Sequence, residues 1–316
     1  MTEMRGDPNF TIILPGECQA ACAFCYWKQS EKVHNDQREY LSRLRTALRR
    51  LPDNFRRVTL SGGEPTLSPV LREVVSTVRA VRDWDAVVLS TNGARLGSFL
   101  DLEIDHVNIS RHDKHDGRNQ ELFGTNDLPS TAQLRELAAA LNRRGIDVTL
   151  NAVLCGQFQD ADSLVRYIDF AKEVGASAVM FRGDQRDEST DRPPESLFNG
   201  INNYSTIEKW SCEACMVWRQ LIRGLPVFWK ASVSEPSQVH GAVYELVCQQ
   251  DGTLTSDWAG ENEWTSGQQI AAAVDVDTDL EVYVQGRRIS PARGIRSSSA
   301  VGGGSCGGGS GGGGAC

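Results

Sequence analysis

The chain has 316 residues, a formal net charge of −8 and 40% hydrophobic residues, which is the composition of an ordinary soluble globular protein. The acidic balance argues against an extended basic surface for a nucleic-acid backbone. The N-terminus lacks an apolar signal core, and no stretch approaches the roughly 20 apolar residues that a membrane helix needs, so we expect a cytoplasmic protein with neither nucleic-acid nor membrane partners.

Repeated βα units are predicted from residue 10 to about residue 185, because short β-branched runs alternate there with segments of helical period. The predicted strands are Phe10–Leu14, Val58–Leu60, Ala86–Ser90, His106–Ser110, Val148–Leu154 and Ala178–Arg182. Helices are predicted at Gln37–Leu51, Pro69–Val81, Thr131–Arg144 and Asp160–Val174, whereas the helix after the third strand is poorly marked. Six units are too few for a closed eight-stranded barrel, so the predicted fold class is α/β, an open partial (β/α)6 barrel with its site at the C-terminal strand ends.

Beyond residue 185 the sequence pattern no longer alternates between predicted strands and helices. Two hairpins are predicted there, Val243–Cys248 with Thr253–Trp258 and Leu280–Val284 with Arg287–Ile289. We therefore expect a barrel over residues 1–185, a small β-rich C-terminal extension or cap over 186–295, and a flexible Gly/Ser tail over 296–316. The tail carries Cys306 and Cys316, and we interpret it as inert, with a thiol donor or an engineered linker as alternatives.

Three of the nine cysteines follow the first predicted strand directly: Cys18, Cys22 and Cys25, in C-x3-C-x2-C spacing. Cysteines of a cytoplasmic chain are metal ligands, reactive thiols or buried residues rather than disulfide partners. Three thiolates can ligate three irons of a [4Fe–4S] cubane and leave the fourth iron open, whereas structural zinc usually takes four ligands. The spacing favours an iron–sulfur site, with zinc or incidental cysteines as the alternatives.

This loop resembles that of the radical S-adenosylmethionine (SAM) superfamily, C-x3-C-x-aromatic-C, with Phe24 at the aromatic position and Tyr26 following. The second strand ends in Gly62, Gly63 and Glu64, which resemble the family's GGE motif at the SAM amino group. The resemblance implies a partial barrel of the family's type, an open iron that chelates SAM, and cleavage of SAM to a 5′-deoxyadenosyl radical. It also implies a reducing partner of the flavodoxin or ferredoxin type.

Other strand ends also resemble family positions. By that resemblance, Ser110 and Asn151 would hydrogen-bond the ribose of SAM, Arg111 would approach its carboxylate, and the backbone of the sixth strand would contact adenine. For any single residue, the alternative is a polar strand end that is only hydrated. The resemblance thus implies a SAM-binding set of Phe24, Tyr26, Gly62, Gly63, Glu64, Asn92, Ser110, Arg111, Asn151, Phe181 and Arg182.

Two further groups of residues are candidates for chemistry. His112 and Asp113 lie in a dense titratable segment after the fourth strand and are candidate substrate contacts, with solvated loop residues as the alternative. Cys212, Cys215 and Cys248 are a candidate second site, for an auxiliary iron–sulfur cluster or zinc, with buried reduced cysteines as the alternative.

These patterns predict a radical SAM enzyme that abstracts hydrogen from a small polar metabolite or natural-product intermediate. One alternative is a peptide-modifying (RiPP maturation) enzyme with an auxiliary cluster, and another is a non-catalytic iron–sulfur or zinc-binding interaction module. We favour a small molecule over a peptide because only a short run precedes the first strand and because the long seven-cysteine auxiliary pattern is absent. An interaction module gives no reason for the glycines and Glu64 at the next strand end.

Overall fold

A central set of parallel strands alternates with helices in the computed structural model, which describes residues 8–25, 36–184, 186–187, 210–212, 217–230, 238–239, 242–243, 245–265, 282–284 and 287–289. The strands are β1 (Asn9–Leu14), β2 (Arg57–Gly62), β3 (Ala86–Thr91), β4 (His106–Ser110), β5 (Asp147–Val153) and β6 (Ala178–Arg182). The helices are α1 (Gln37–Arg50), α2 (Leu71–Val81), α3 (Asp116–Phe123), α4 (Thr131–Arg143) and α5 (Ala161–Glu173). The predicted partial-barrel fold class is confirmed, with strand and helix ends close to the predicted ones.

The two connections around β4 differ from the prediction. After β3 the chain makes only a short 3₁₀ helix, Leu96–Phe99, which explains why no helical period is visible there. After β4 it forms α3, which the sequence did not predict because its residues are mostly polar and only Asn119 and Phe123 are buried. Gly124 ends α3 in the left-handed conformation (φ 63°), a C-terminal position that favours glycine.

The remaining strands are short. They are β7 (Trp210–Cys212), β8 (Val217–Ile222), β9 (Leu225–Lys230), β10 (Gln238–Val239), β11 (Ala242–Val243), β12 (Glu245–Cys248), β13 (Leu254–Thr255), β14 (Val282–Val284) and β15 (Arg287–Ile289). Both predicted hairpins are present, as the antiparallel pairs β12–β13 and β14–β15. None of the helices in the described part of the chain combines the length and apolar character that a bilayer crossing requires.

One sheet of eleven strands contains the barrel, in the order β13-β12-β1-β2-β3-β4-β5-β6-β9-β8-β7. β12 pairs in parallel with β1, and β9 pairs in parallel with β6. The C-terminal extension therefore adds strands to both edges of the barrel sheet, a placement that the sequence pattern did not reveal. The domain boundary at residue 185 stays a prediction, and the predicted tail lies outside the described residues.

The two faces of the barrel sheet differ in character because side chains alternate along each strand. On the outer face, apolar residues such as Ile12, Leu89 and Phe181 pack beneath the helices in one continuous core. The opposite face, which we call the inner face, carries polar and charged residues that hydrogen-bond from strand to strand. Its members include Asn9, Thr11, Thr59, Ser90, His106, Asn108, Ser110, Thr149, Asn151, Arg182, Lys230 and Glu245.

A close approach of two backbones fixes the end of β2. Gly62 has φ +139°, and a Cβ atom at this position would lie 2.9 Å from the carbonyl oxygen of Leu14 on β1. Both the backbone conformation and the contact exclude a side chain, so glycine is required here for a steric reason.

We predict that Gly62→Ala lowers the free energy of unfolding by about 1–3 kcal/mol, because alanine strains the backbone and meets the Leu14 carbonyl. Urea unfolding at constant pH measures the change. The matched control is Gly117→Ala in α3, where no atom lies within 4 Å of the added Cβ; its stability should stay within about 1 kcal/mol of the wild type. Equal stability of Gly62→Ala and the wild type would contradict the steric argument.

Candidate active site

The three predicted cluster cysteines lie in one loop, residues 15–25, which we call the cysteine loop. It leaves the C-terminal end of β1 and is held by the end of α3, where the amide of Ala21 donates to the carbonyl of Phe123 at 2.6 Å. The approach is so close that a Cβ on Gly124 would lie 2.9 Å from the Cβ of Ala21. Sequence reasoning missed this support because α3 itself was not predicted.

The cysteine side chains share a small apolar cluster that is separate from the main core. Its members are Cys18, Ala20, Cys22, Phe24, Cys25, Phe123 and Leu128. All three thiols are free of disulfide bonds. Within the described ranges, no three His, Cys, Asp or Glu side chains are gathered closely enough to bind a single metal ion. A cubane does not need such a gathering, because each thiolate binds a different iron, and three soft donors in one apolar pocket suit a [4Fe–4S] cluster.

Asn92, at the end of β3, lies against the cysteine loop. Its side-chain amide exchanges two hydrogen bonds with Gln19, at 3.1 and 3.3 Å, and its Nδ2 lies 3.9 Å from Cys18 Sγ. Gln19 Nε2 also donates to the carbonyl of Asp127 at 3.2 Å. The predicted site residue Asn92 is thus brought to the cluster cysteines, and Gln19, which the sequence did not single out, joins them.

Glu64 is buried at the turn after β2 and does not reach outward. One carboxylate oxygen accepts from the amide and hydroxyl of Thr66 (2.9 and 2.6 Å) and from the hydroxyl of Thr91 (2.5 Å). The other accepts from the amide of Asn92 at 2.7 Å. Burial raises the pKa of Glu64, and these four donors oppose that rise. The Glu64 carboxylate therefore positions Asn92. A contact between this carboxylate and the SAM amine stays a prediction, and the four hydrogen bonds that the carboxylate already accepts argue against it.

Arg111 is occupied by contacts with its own loop and with α5. Its Nε donates to the carbonyl of Asp113 at 2.7 Å, its guanidinium pairs with Asp116 at 2.5 Å, and it lies 5.5 Å from the ring centre of Phe170. The Asp113 carboxylate in turn accepts from the amide of His115 at 2.8 Å. The predicted contact of Arg111 with the SAM carboxylate is not favoured by this arrangement, which gives Arg111 a structural role.

His112 is buried between two aromatic rings. Its ring centre lies 4.7 Å from that of Phe24 in the cysteine loop and 4.5 Å from that of Phe123. Burial, and then the neighbouring Arg111, lowers the pKa of His112 to about 3. Its Nδ1 accepts from the amide of Val153 at 3.2 Å, so the single proton of the neutral ring lies on Nε2. His112 therefore braces Phe24, and a substrate contact by His112 or Asp113 stays a prediction.

The predicted SAM-binding residues of β4, β5 and β6 fall on different faces of the sheet. Ser110 and Asn151 are register partners on the inner face, and the Oδ1 of Asn151 is buried without a hydrogen-bond partner among the described residues. Such an acceptor suits a ligand hydroxyl. The side chain of Phe181 lies in the outer core against Trp229, and the contact of the β6 backbone with adenine stays a prediction. Arg182 lies on the inner face, and Tyr26 lies outside the described residues.

One member of the candidate second metal site, Cys248, lies in the core of the protein. Cys248 is fully buried on β12 within the outer core, and burial raises the pKa of its thiol to about 12. A buried thiol of this kind packs as a small apolar side chain, and its role as a metal ligand stays a prediction. Of the other two members, Cys215 and the side chain of Cys212 lie outside the described residues.

Comparison with known proteins gives a family for most of the barrel. Residues 12–171 match the model described as the radical SAM superfamily. The chain is 29% identical over 175 residues to GTP 3',8-cyclase of Stenotrophomonas maltophilia (strain K279a), an alignment that covers 53% of this chain and 52% of that protein. It is 30% identical over 178 residues to a probable GTP 3',8-cyclase of Sulfolobus acidocaldarius, covering 54% of each. The chain thus spans about half the length of the curated relatives it matches.

Among solved structures, SuiB of Streptococcus suis has a similar fold. The structure of SuiB bound to the precursor peptide SuiA matches with a TM-score of 0.57 and 15% identity, covering 83% of this chain and 62% of that chain. SuiB bound to S-adenosylmethionine matches with the same TM-score and identity, covering 85% of this chain and 64% of that one. At this identity the likeness concerns the fold alone.

We predict that Glu64→Gln destabilises the protein by about 1–3 kcal/mol in urea unfolding. Each carboxylate oxygen accepts from one backbone amide, so a glutamine, with a single acceptor, must turn its NH2 group toward the amide of Thr66 or Asn92. The control is Glu121→Gln, in an exposed ion pair with Arg118, which should change stability by less than about 1 kcal/mol. Similar effects of the two substitutions would argue against Glu64 as a positioning residue.

A second prediction concerns Cys248. Because its thiol is fully buried with a raised pKa, it should resist alkylation by iodoacetamide in the native protein at pH 8 and react once the chain is unfolded in urea. Mass spectrometry of the peptide that contains residue 248 measures the labelled fraction. Rapid labelling of the native protein would show that the thiol is accessible and would restore it as a candidate ligand.

Proposed function

The chain belongs to the radical SAM superfamily of enzymes, and we propose that it uses a [4Fe–4S] cluster and S-adenosylmethionine to abstract a hydrogen atom from a small polar metabolite or natural-product intermediate. One observation carries the proposal. The thiols of Cys18, Cys22 and Cys25 share one apolar pocket at the strand C-terminal ends, beside Asn92 and next to the polar inner face. The match to the family model spans the same residues.

The protein's own residues have distinct tasks in this proposal. Cys18, Cys22 and Cys25 would hold three irons, and Asn151, with its unpartnered buried Oδ1, would accept a hydrogen bond from the ribose of SAM. When bound, the cluster and SAM together supply a 5′-deoxyadenosyl radical by reductive cleavage of the sulfonium. Phe24, held by the neutral His112, would shield that region from water.

The choice of a small substrate is supported by the inner face and by Cys248. The inner face offers hydrogen-bonding and charged side chains, which suit a polar molecule within the barrel. The peptide-modifying alternative invoked an auxiliary cluster at Cys212, Cys215 and Cys248, and the burial of Cys248 argues against that ligand set. We also propose a flavodoxin- or ferredoxin-type reductant and a cytoplasmic location, in which reduced thiols persist.

The proposal is tested by iron content and SAM cleavage. After anaerobic reconstitution the wild type should carry about four irons per chain and release 5′-deoxyadenosine when dithionite and SAM are added. Cys22→Ala should lose both the iron and the product, because a cubane held by two thiolates is not retained. The matched control is Cys155→Ala, a half-buried free cysteine after β5, which should keep both. Tightly bound zinc and no iron in the wild type would end the proposal.

A separate measurement, the rate of 5′-deoxyadenosine release with different extract fractions, tests the substrate class. If the substrate is a small metabolite, the low-molecular-weight fraction of a cell extract should accelerate 5′-deoxyadenosine release, and a peptide fraction freed of small molecules should not. Acceleration by the peptide fraction alone would favour the peptide-modifying enzyme. The Cys22→Ala variant provides the blank for both fractions.

A further inference from the structure

Two cations lie side by side at the C-terminal end of the inner face. Arg182 ends β6 and Lys230 ends β9, and the two residues are register partners. Their chain neighbours Phe181 and Trp229 lie in the outer core, so the alternation of side chains turns Arg182 and Lys230 toward the inside of the barrel. The Nε of Arg182 is buried and has no hydrogen-bond partner in the part of the chain that the structure describes.

The carboxylate that faces this pair is already engaged. Glu245 starts β12, at the opposite edge of the barrel, and its Oε1 accepts from Asn9 Nδ2 and Thr11 Oγ1, each at 2.9 Å. Among the described residues neither Arg182 nor Lys230 forms an ion pair within 4.0 Å with Glu245 or any other carboxylate. Two positive charges therefore face one carboxylate at longer range, which leaves an excess of positive charge inside the barrel.

The pKa shifts agree with this imbalance. Burial lowers the pKa of Lys230. The nearby charges of Arg182 and Arg57 lower this pKa further, and only the charge of Glu245 raises it. Burial also lowers the pKa of Arg182, and the charge of Glu245 opposes this fall. The pKa of Glu245 falls although burial raises it, because Lys230 and the hydrogen bonds from Thr11 and Asn9 outweigh burial. The positive charges of Arg182 and Lys230 are therefore disfavoured at these positions unless an anion other than Glu245 is bound.

We propose that Arg182 and Lys230 bind an anionic group of the substrate, a phosphate or a carboxylate, inside the barrel. An anion would relieve the repulsion between the two cations and replace the water that burial has removed from them. The planar guanidinium offers a fork of donors for two oxygens, and the ammonium adds a point charge. The inference rests on the proposed function, since it names the substrate class for the same site.

The register of the strands places the pair close to the predicted SAM acceptor on β5. Val153, Arg182 and Lys230 form one register row across β5, β6 and β9. Asn151, the buried acceptor assigned above to SAM, precedes that row by two residues on β5 and faces the same side. An anionic group held by Arg182 and Lys230 would therefore anchor a small substrate next to the predicted SAM site.

The test measures anion binding directly. Isothermal titration of the reconstituted protein with inorganic phosphate and, separately, with acetate, both at constant ionic strength, should give saturable binding for at least one of them. Lys230→Met should weaken that binding about tenfold or more, because a charged hydrogen-bond donor is lost, and Arg182→Met should do the same. Lys230→Arg keeps the charge and should retain most of the affinity. Lys172→Met, at an exposed lysine on α5, is the matched control and should bind like the wild type.

Thermal unfolding separates lost binding from lost structure. Without anion, Lys230→Met should unfold at the same temperature as the wild type or higher, because a half-buried charge that forms no ion pair among the described residues has been removed. Binding of phosphate alone assigns a phosphorylated substrate, and binding of acetate alone assigns a carboxylate. Binding of neither probe, or equal binding by the wild type and both methionine variants, overturns the inference. If the wild type cleaves SAM but binds no anion, this inference alone fails; if it cleaves no SAM, the proposed function fails.

Discussion

The geometry of the cysteine loop depends on one buried carboxylate. Glu64 joins the end of β2 to the end of β3 through Thr91 and Asn92, and Asn92 then lies against Cys18. The amide of Glu64 also donates to the carbonyl of Glu17, directly before the first cysteine. A single residue therefore ties two strand ends together through its carboxylate and holds the loop through its backbone amide. The thiols can be placed accurately although the loop has no regular secondary structure.

The division of the sheet into two faces separates stability from chemistry. The outer face buries large apolar side chains beneath four helices, α1, α2, α4 and α5, and supplies most of the hydrophobic stabilisation. The inner face is lined by groups that would weaken a core, among them His106, whose pKa burial lowers to about 4. These polar groups are tolerated because neighbouring side chains form hydrogen bonds with many of them. An example is the hydrogen bond between His106 Nε2 and Thr149 Oγ1 at 2.9 Å. The groups that remain unsatisfied are the ones available to ligands.

The sequence was sufficient for the features that local patterns determine. β-branched runs and helical periods marked the six strands β1 to β6 and four of the five helices in the described part of the chain, and the cysteine spacing marked the loop. Features that depend on long-range contacts could not be predicted from local patterns. In the sequence alone, Glu64 resembles a ligand-binding residue, whereas the structure shows that its carboxylate accepts hydrogen bonds from four donors. Arg111 likewise resembles a ligand-binding residue, whereas the structure pairs it with Asp116. The same holds for Lys230, which lies beside Arg182 only because β9 joins β6.

The pairing of β1 with β12 also has a consequence for the order of folding. Asn9 and Glu245 are hydrogen-bonded although 236 positions separate them in the chain. As a ribosome releases the chain from its N-terminus, the free edge of β1 exposes unpaired backbone groups until the β12 segment has been made. Closing so long a loop is entropically costly, so docking of the final strands should be a late and slow step. Until then the half-built barrel is a target for chaperones and for association with other nascent chains.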